Sequence, residues 1–178
     1  MKQTKKILEN QNLKLRALEP EDLDVLYLWE NDTSLWEYSS TITPFSRHIL
    51  ATYIANSHQS IYEVKQVRFI IELIGEKQAI GTIDLYDFEP THMRAGVGIL
   101  IDGKYQRKGY ANQALELLID YTFSVLMLKQ LHAIIPVKNT ASYHLFKKRG
   151  FESAGVLKEW NNTAHGFQDV YMMQLLNK

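Results

Sequence analysis

The stretch QRKGYA, Gln106 to Ala111, sets two cations, a glycine and an aromatic residue between the apolar run VGILI and a clean amphipathic run. The first amides of a helix lack intrahelical partners and sit at the positive end of its dipole, so such a turn suits a phosphate. Gly109 lets the backbone approach an anion closely, while Arg107 and Lys108 add charge. Taken alone, the same six residues equally describe a capped surface turn with solvated cations. A second stretch, NTASYHLFKKRGF from Asn139 to Phe151, spaces Asn139, Ser142 and Phe146 at i, i+3 and i+7, on one helix face. A third group is acidic: Glu72 in VRFIIE, with Asp84 and Asp87 in IDLYDF. These carboxylates could accept protons, but Glu72 and Asp84 alternate with apolar neighbours, which also fits the wet face of a strand.

Composition removes several kinds of chemistry. Lys+Arg and Asp+Glu both total 20, so no global field recruits nucleic acid or an anionic membrane, and neither is expected as a partner. Without cysteine there is no disulfide, thiol nucleophile or thiolate metal site. None of His48, His58, His92, His132, His144 and His165 pair at a helical zinc spacing, so no metal is expected. His92 and His144 read as surface or supporting residues. The N-terminal MKQTKKILENQN lacks an apolar signal core, and no apolar run approaches the ~18 residues of a membrane span. These features predict a soluble cytoplasmic protein with a short, loose lead over residues 1–11.

The elements that must position these groups follow from periodicity. With 178 residues, 46% of them hydrophobic, and no repeat or linker, the chain reads as one domain, 1–178. LKLRAL alternates as a strand, and Pro20 opens a helix to about Glu30 with Glu19, Glu21 and Asp22 at its start. Pro44 and Ser46 begin a second helix to about Asn56. VRFIIELI, AIGTIDLYDF and MRAGVGILI form three strands separated by GEKQ and EPTH, an antiparallel meander. Ala111, Ala114, Leu115, Leu118, Tyr121, Thr122 and Val125 keep the helical period. There follow a strand, LHAIIPV, a helix from about Thr140 to Arg149 stopped by Gly150, and strands FESAGVLKEW and QDVYMMQLL. This order predicts an α/β (α+β) fold: a central mixed, mostly antiparallel sheet of about seven strands, flanked on both faces by about four helices. VGILI, the long helix and LHAIIPV make a right-handed βαβ crossover. Pro136 has no N–H and predicts a split in the sheet beside the phosphate turn.

QRKGYA after an apolar strand resembles the Q/R-x-x-G-x-G/A loop of the GNAT superfamily of N-acetyltransferases. Asn139–Phe151 is similar to the superfamily's N-x-x-[AS]-x-x-x-[YF]-x-K-x-G-F segment, at the expected distance downstream. With the strand order, the resemblance covers nearly the whole chain. It implies a GNAT fold split at the cofactor, with acetyl-CoA as acetyl donor. By position, Gln106, Arg107, Lys108, Gly109, Tyr110 and Ala111 inherit the pyrophosphate-binding role. Asn139, Ser142, Phe146 and Lys148 are implied to line the rest of the cofactor, and the strand amides of Ile99, Leu100 and Ile101 to face the acetyl group and its oxygen.

Acetyl transfer needs a neutral amine, and a lysine-like amine is mostly charged at pH 7. Many superfamily members carry a tyrosine at the position of Phe146 to protonate the CoA thiolate, and a glutamate at the position of Gly96; this chain has neither. Its candidate catalytic groups are Ser142, Tyr143 and Asp84. Tyr143 points about 300° around the helix from Phe146. Ser142 is better placed, and N-terminal acetyltransferases of ribosomal proteins resemble the chain in having serine there; binding of cofactor or backbone is its other reading. Asp84 stands as proton acceptor, with Asp87 and Glu72 as alternatives and Tyr86 as a polar wall.

WENDTSLWEYSS, with Asn31, the downstream RFIIE and YTFSVLMLKQLH, resembles bacterial spermidine/spermine N-acetyltransferases. Glu30, Asp32 and Glu37 could attract a polyamine, and Trp29, Trp36 and Tyr38 could add cation–π contacts. Glu30, Asn31, Glu37, Tyr38, Asp84 and Tyr86 are therefore the expected substrate-binding set. STITPF is less acidic than the matching stretch of those enzymes, and Trp29 and Trp36 equally suit packing. The expected activity is transfer to a polyamine or other small amine. A peptide or protein N-terminus is the second expectation, and a CoA-binding regulatory protein without turnover the third. The family further implies self-association as a homodimer or higher homo-oligomer.

Overall fold

The computed structural model describes residues 7–38, 41–163 and 165–178. Residues 1–6 of the expected lead, and Ser39 and Ser40 of the acceptor stretch, lie outside the described residues. Strand β1, Leu13–Arg16, alternates as its sequence requires, burying Leu13 and Leu15. A 3₁₀ turn, Pro20–Asp22, leads into α1, Leu23–Glu30, and Ser46 caps α2, Arg47–Ala55, by accepting from the Ile49 amide at 3.2 Å. A single turn, α3 (Ile61–Val64), carries a Ser60/Glu63 capping box; four residues are too few to show a period in sequence. β2 (Val67–Leu73), β3 (Gln78–Glu89) and β4 (Arg94–Ile101) form the meander. Then come α4 (Tyr110–Ser124), β5 (Gln130–Pro136), α5 (Thr140–Lys148), β6 (Glu152–Thr163) and β7 (Gly166–Leu176).

The sheet has the order β1-β2-β3-β4-β5-β7-β6, antiparallel except where β4 meets β5. That parallel pair runs through only three positions, Arg94↔Gln130, Ala95↔Leu131 and Gly96↔His132. The remainder of β4 parts from β5. The split therefore opens from Val97 onward rather than at Pro136, which stays in the β7 ladder opposite Val170. Pro136 closes β5 after the strands have already separated.

Strand alternation divides the core between the two faces. On one face α4 and α5 bring Leu115, Leu118 and Phe146 against Ile71, Ile83, Val97 and Leu131. On the other, α1 and α2 pack Leu26, Trp29 and Ile54 against Ile70. Burying a Leu-sized side chain contributes about 1.5–3 kcal/mol, so α4 is held mainly by its apolar face rather than by helix propensity. Residues 7–12 are not loose. Leu8 accepts from the Leu15 amide at 2.8 Å, and the side chains of Asn10 and Asn12 donate to Gln113 Oε1 on α4 at 3.3 and 3.0 Å. Among the described residues no helix is long and apolar enough to cross a membrane.

Candidate active site

Beyond the last residue of β4, Asp102 organises the loop. Its Oδ1 accepts from the Lys104 amide at 3.0 Å and its Oδ2 from the Trp29 indole at 3.1 Å, tying the loop to α1. Burial opposes the Asp102 charge, but these two donors hold its pKa below the usual carboxylate range. Gln106 Nε2 donates to the Ile101 carbonyl at 2.9 Å, strapping the loop back onto the strand. Gly109 then takes φ +81, in the left-handed region, and serves as N-cap of α4 with no side-chain hydrogen bond. The first loop-to-helix bond, Gln113 N–H to the Gly109 carbonyl, is 3.3 Å long. The amides of Tyr110, Ala111 and Asn112 thus lack intrahelical partners at the positive end of a 15-residue helix. Arg107 and Lys108 are exposed beside them, Lys108 Nζ lying 5.3 Å from the Tyr105 ring centroid. A pyrophosphate fits this arrangement of backbone donors and cations.

The second signature segment is partly reassigned. Asn139 caps α5, its Oδ1 accepting from the Ser142 amide at 3.0 Å, and Ser142 is half-buried. Phe146, expected on the cofactor face, is only 2% exposed and meets Phe151 edge-on at 4.9 Å, so its ring belongs to the core. Tyr143 leans on Tyr171 of β7 at 4.7 Å, on the α4/α5 face, away from the carboxylates of the opposite face. The structure therefore does not bring Tyr143 into one group with Asp84. Lys148 is exposed in the last turn of α5. Arg149 is not a free phosphate cation: it donates to Asn112 Oδ1 at 2.7 Å and pairs with Glu116 at 3.1 Å, fastening α5 to α4.

On the α1/α2 face, register aligns Arg68 with Asp84 and Gly98, and Tyr86 with Gly96 and His132. Arg68 Nε and Nη2 donate to the two oxygens of Asp84, both at 2.8 Å, and its Nη1 pairs with Glu30. Burial opposes the guanidinium charge, yet the attraction of Asp84, its hydrogen bonds and Glu30 together raise the Arg68 pKa. Asp84 is consequently anchored through both oxygens rather than free to act as a base, while Glu30 shares the same cation. The glycine at 96 has a steric cause: a Cβ there would fall 2.4 Å from the Tyr86 ring. Tyr86 thus fills the space above Gly96. At Gly98 the same added atom would have ordinary contacts, 3.9 Å to Asp84 and Tyr86.

Other members of the expected acceptor set hold the scaffold. Asn31 Nδ2 donates to the Tyr27 and Phe45 carbonyls at 2.9 and 3.0 Å, and its Oδ1 accepts from the Phe45 amide at 2.8 Å. With its amide group bonded in this way, Asn31 clamps the loop ahead of α2. Trp29 is buried and bonded to Asp102, and Trp36 Nε1 donates to the Glu30 carbonyl at 2.9 Å, so both tryptophans pack. Asp32 Oδ1 accepts from the Ser34 amide and hydroxyl at 3.0 and 2.7 Å. Glu37 and Tyr38 remain exposed on the 3₁₀ helix Thr33–Tyr38, which Gln168 of β7 ties in through the Glu37 carbonyl at 3.1 Å. A hydrogen bond to Glu37 raises the Tyr38 pKa. Glu72 lies in a separate network with Lys14 at 2.8 Å and Arg16, which also holds Asp22 at 2.7 Å. That network is structural. His132, unassigned in sequence, meets Tyr86 edge-on at 5.9 Å; only its place in a strand signalled that it could face another element.

A mixed seven-stranded sheet that parts between two parallel strands, with a glycine-capped helix at the parting, is the architecture of a GNAT fold. The chain belongs to the GNAT acetyltransferase family: the Acetyltransferase (GNAT) domain matches residues 12–152. It is 34% identical to the spermidine N(1)-acetyltransferase of Escherichia coli K12 over 146 residues, covering 82% of this chain and 76% of that protein. The spermidine N-acetyltransferase of Vibrio cholerae, solved in complex with CoA and spermine, superposes with a TM-score of 0.85 at 30% identity, over 94% of this chain and 96% of that one. A dodecameric structure of the V. cholerae spermidine enzyme superposes at 0.78, with 29% identity over 94% of this chain and 95% of that one. The protein is an N-acetyltransferase, and acetyl-CoA is its acetyl donor. Among the described residues, no three His, Asp or Glu side chains gather into a metal-binding group.

Proposed function

We propose that this enzyme acetylates a primary amine of a polyamine or similar small polycation. The Glu30–Arg68–Asp84 cluster carries the reading: two carboxylates share one guanidinium, leaving a net negative charge beside Gly98, where β4 has parted from β5. An ammonium about 4 Å from that charge gains about 4 kcal/mol at an effective dielectric near 20, before desolvation is counted. Exposed Glu37 and Tyr38 stand on the 3₁₀ segment after α1 and suit a second cationic centre. The spermidine specificity named for the E. coli and V. cholerae relatives supports the same class of acceptor.

In this reading the donor and the amine bind together and the acetyl group passes directly between them. The amides of Tyr110 to Asn112 and the loop from Gln106 hold the pyrophosphate, and Lys148 adds charge nearby. Of the strand amides at Ile99, Leu100 and Ile101, those that face the β5 side rather than β3 are freed where β4 leaves β5 and receive the acetyl oxygen. Ser142, at the start of α5, stabilises the leaving thiolate; Asp84 and Tyr86 wall the acceptor side. The half-buried, backbone-anchored Ser142 also favours a second reading, transfer to a peptide N-terminus. Thiol release from acetyl-CoA, measured with spermidine, shorter diamines and Ser- or Ala-starting peptides in parallel, tests the choice. Release with polyamines alone supports the proposal, and release with peptides alone overturns it. Self-association belongs to the same reading: β6 is a sheet edge bearing exposed Val156 and Trp160, with exposed Phe167 on the adjoining β7. A monomeric mass in light scattering at working concentration would overturn that part.

A further inference from the structure

Three strands converge at the point where the sheet opens. Tyr86 of β3, Gly96 of β4 and His132 of β5 occupy one transverse row, because Tyr86↔Gly96 and Gly96↔His132 are both register pairs. Gly96 supplies no side chain, and the Tyr86 ring lies across it so closely that even a methyl group would collide. The ring ends edge-on against His132 at 5.9 Å, with the phenol hydroxyl at the Ile134 amide of β5. Beyond this row β4 and β5 are no longer paired. A β-bulge between Tyr86 and Glu89 sits beside it, with Asp87 at φ +47; bulges of this kind re-aim strand side chains.

We infer that His132 is the proton acceptor for the attacking amine, and that Tyr86, laid over Gly96, is the positioning residue that fixes its imidazole at the mouth of the split. The inference rests on the reading of the α1/α2 face as the acceptor side. Tyr86 fills the space above Gly96, and His132 across the row supplies the basic group that a glycine cannot. Asp84 is excluded from this role by its double hydrogen bond to Arg68. Among the described residues, no hydrogen bond occupies either ring nitrogen of His132, which is half-buried.

The chemistry balances without another reactant. The neutral amine attacks the thioester carbonyl, forming a C–N bond and a positively charged nitrogen. His132 takes one proton from that nitrogen as the C–S bond breaks and its electron pair leaves on sulfur. The products are the amide, the CoA thiolate and an imidazolium, whose proton then passes to solvent or to the thiolate. Burial lowers the His132 pKa; Asp87 opposes and Arg94 reinforces that shift, so the imidazole is neutral and able to accept at pH 7. Burial also keeps the Tyr86 phenol protonated, partly offset by the Ile134 amide. From β7 the register partner of His132 is the uncharged Gln174.

The test compares wild type and His132→Gln in steady-state acetyl transfer to spermidine between about pH 5.5 and 9, a range that brackets the ordinary histidine value, with acetyl-CoA affinity and melting temperature measured on both. The expected result is kcat lowered roughly 10²-fold in the variant, the loss typical of a removed general base. Its acidic limb, which in wild type falls below the ordinary histidine value of 6.5, should vanish while acetyl-CoA affinity and melting temperature stay within error. A variant that retains kcat within about threefold, with the same acidic limb, overturns the inference and leaves the acceptor reading intact. A wild type that releases thiol with peptides but with no polyamine overturns the polyamine reading instead; the peptide then serves as acceptor in the same pH comparison.

Discussion

The two sides of the split between β4 and β5 are built from different materials. In the proposed reading, recognition on the α4 side rests on the backbone: a glycine at φ +81, an uncapped helix start and strand amides freed from pairing. On the α1/α2 side, in the same reading, it rests on side chains, with Glu30, Arg68, Asp84, Tyr86 and His132 drawn from α1, β2, β3 and β5. A backbone site can be copied by any sequence that keeps the turn, so its signature is short and local. A side-chain site depends on residues far apart in the chain, as Tyr86 lying over Gly96 shows.

The largest expected effect lies on the side-chain side. Arg68→Gln leaves Glu30 and Asp84 facing each other without their cation, which should cost about 3 kcal/mol and lower the melting temperature by roughly 6–12 °C. Millimolar spermidine should restore more of that loss in the variant than it adds to wild type, because an ammonium can occupy the vacated position. An unshifted melting curve would show that the cluster is not coupled to the fold. On the backbone side, Gly109→Val forces a β-branched residue into the left-handed region and places methyl groups at the phosphate turn. Calorimetry should show acetyl-CoA binding weakened by up to a hundredfold, about 2–3 kcal/mol, with the melting temperature lowered only by the few degrees that left-handed strain costs. Unaltered affinity would remove the loop from the donor site.

Glu72 offers a control that belongs to neither side. Burial opposes its charge, but Lys14 and Arg16 outweigh that and hold its folded pKa below the ordinary 4.5. Its stabilising contribution is therefore complete above that value and lost as the pH falls through the lower folded pKa. Glu72→Gln should cost about 2 kcal/mol in urea unfolding at neutral pH, the gap closing toward pH 3. A gap that persists in acid would contradict the ion-pair account. The smallest effect is expected from Asn31→Ala, which releases the loop clamp on Phe45. The amine KM should rise about fivefold, near 1 kcal/mol, with acetyl-CoA affinity unchanged. Equal losses for both substrates would mean that the loop supports the whole site.

Much of this was legible before any coordinates. Periodicity located all seven strands and four of the five α-helices, because one apolar face per element is a local requirement. The single turn α3 was too short to show a period, and the tie of Asn10, within the expected lead, was not legible because its partner Gln113 lies about a hundred residues away on α4. Helix spacing put Phe146 on one face with Asn139 and Ser142, and family resemblance implied that this face lines the cofactor; only the position of Phe151 shows that its ring closes the core. Asn31 looked like a substrate ligand because sequence shows an amide but not the carbonyls it meets.

By itself, the sequence determined the element order and the glycine-led phosphate turn, since each follows from neighbours along the chain, and the donor class came with the family resemblance that those local segments carry. Tertiary structure alone decided which charges cancel, which aromatic ring covers Gly96 and which histidine stands beside it. Those facts depend on strand register, and register brings together residues separated by tens of positions whose partners no local pattern names.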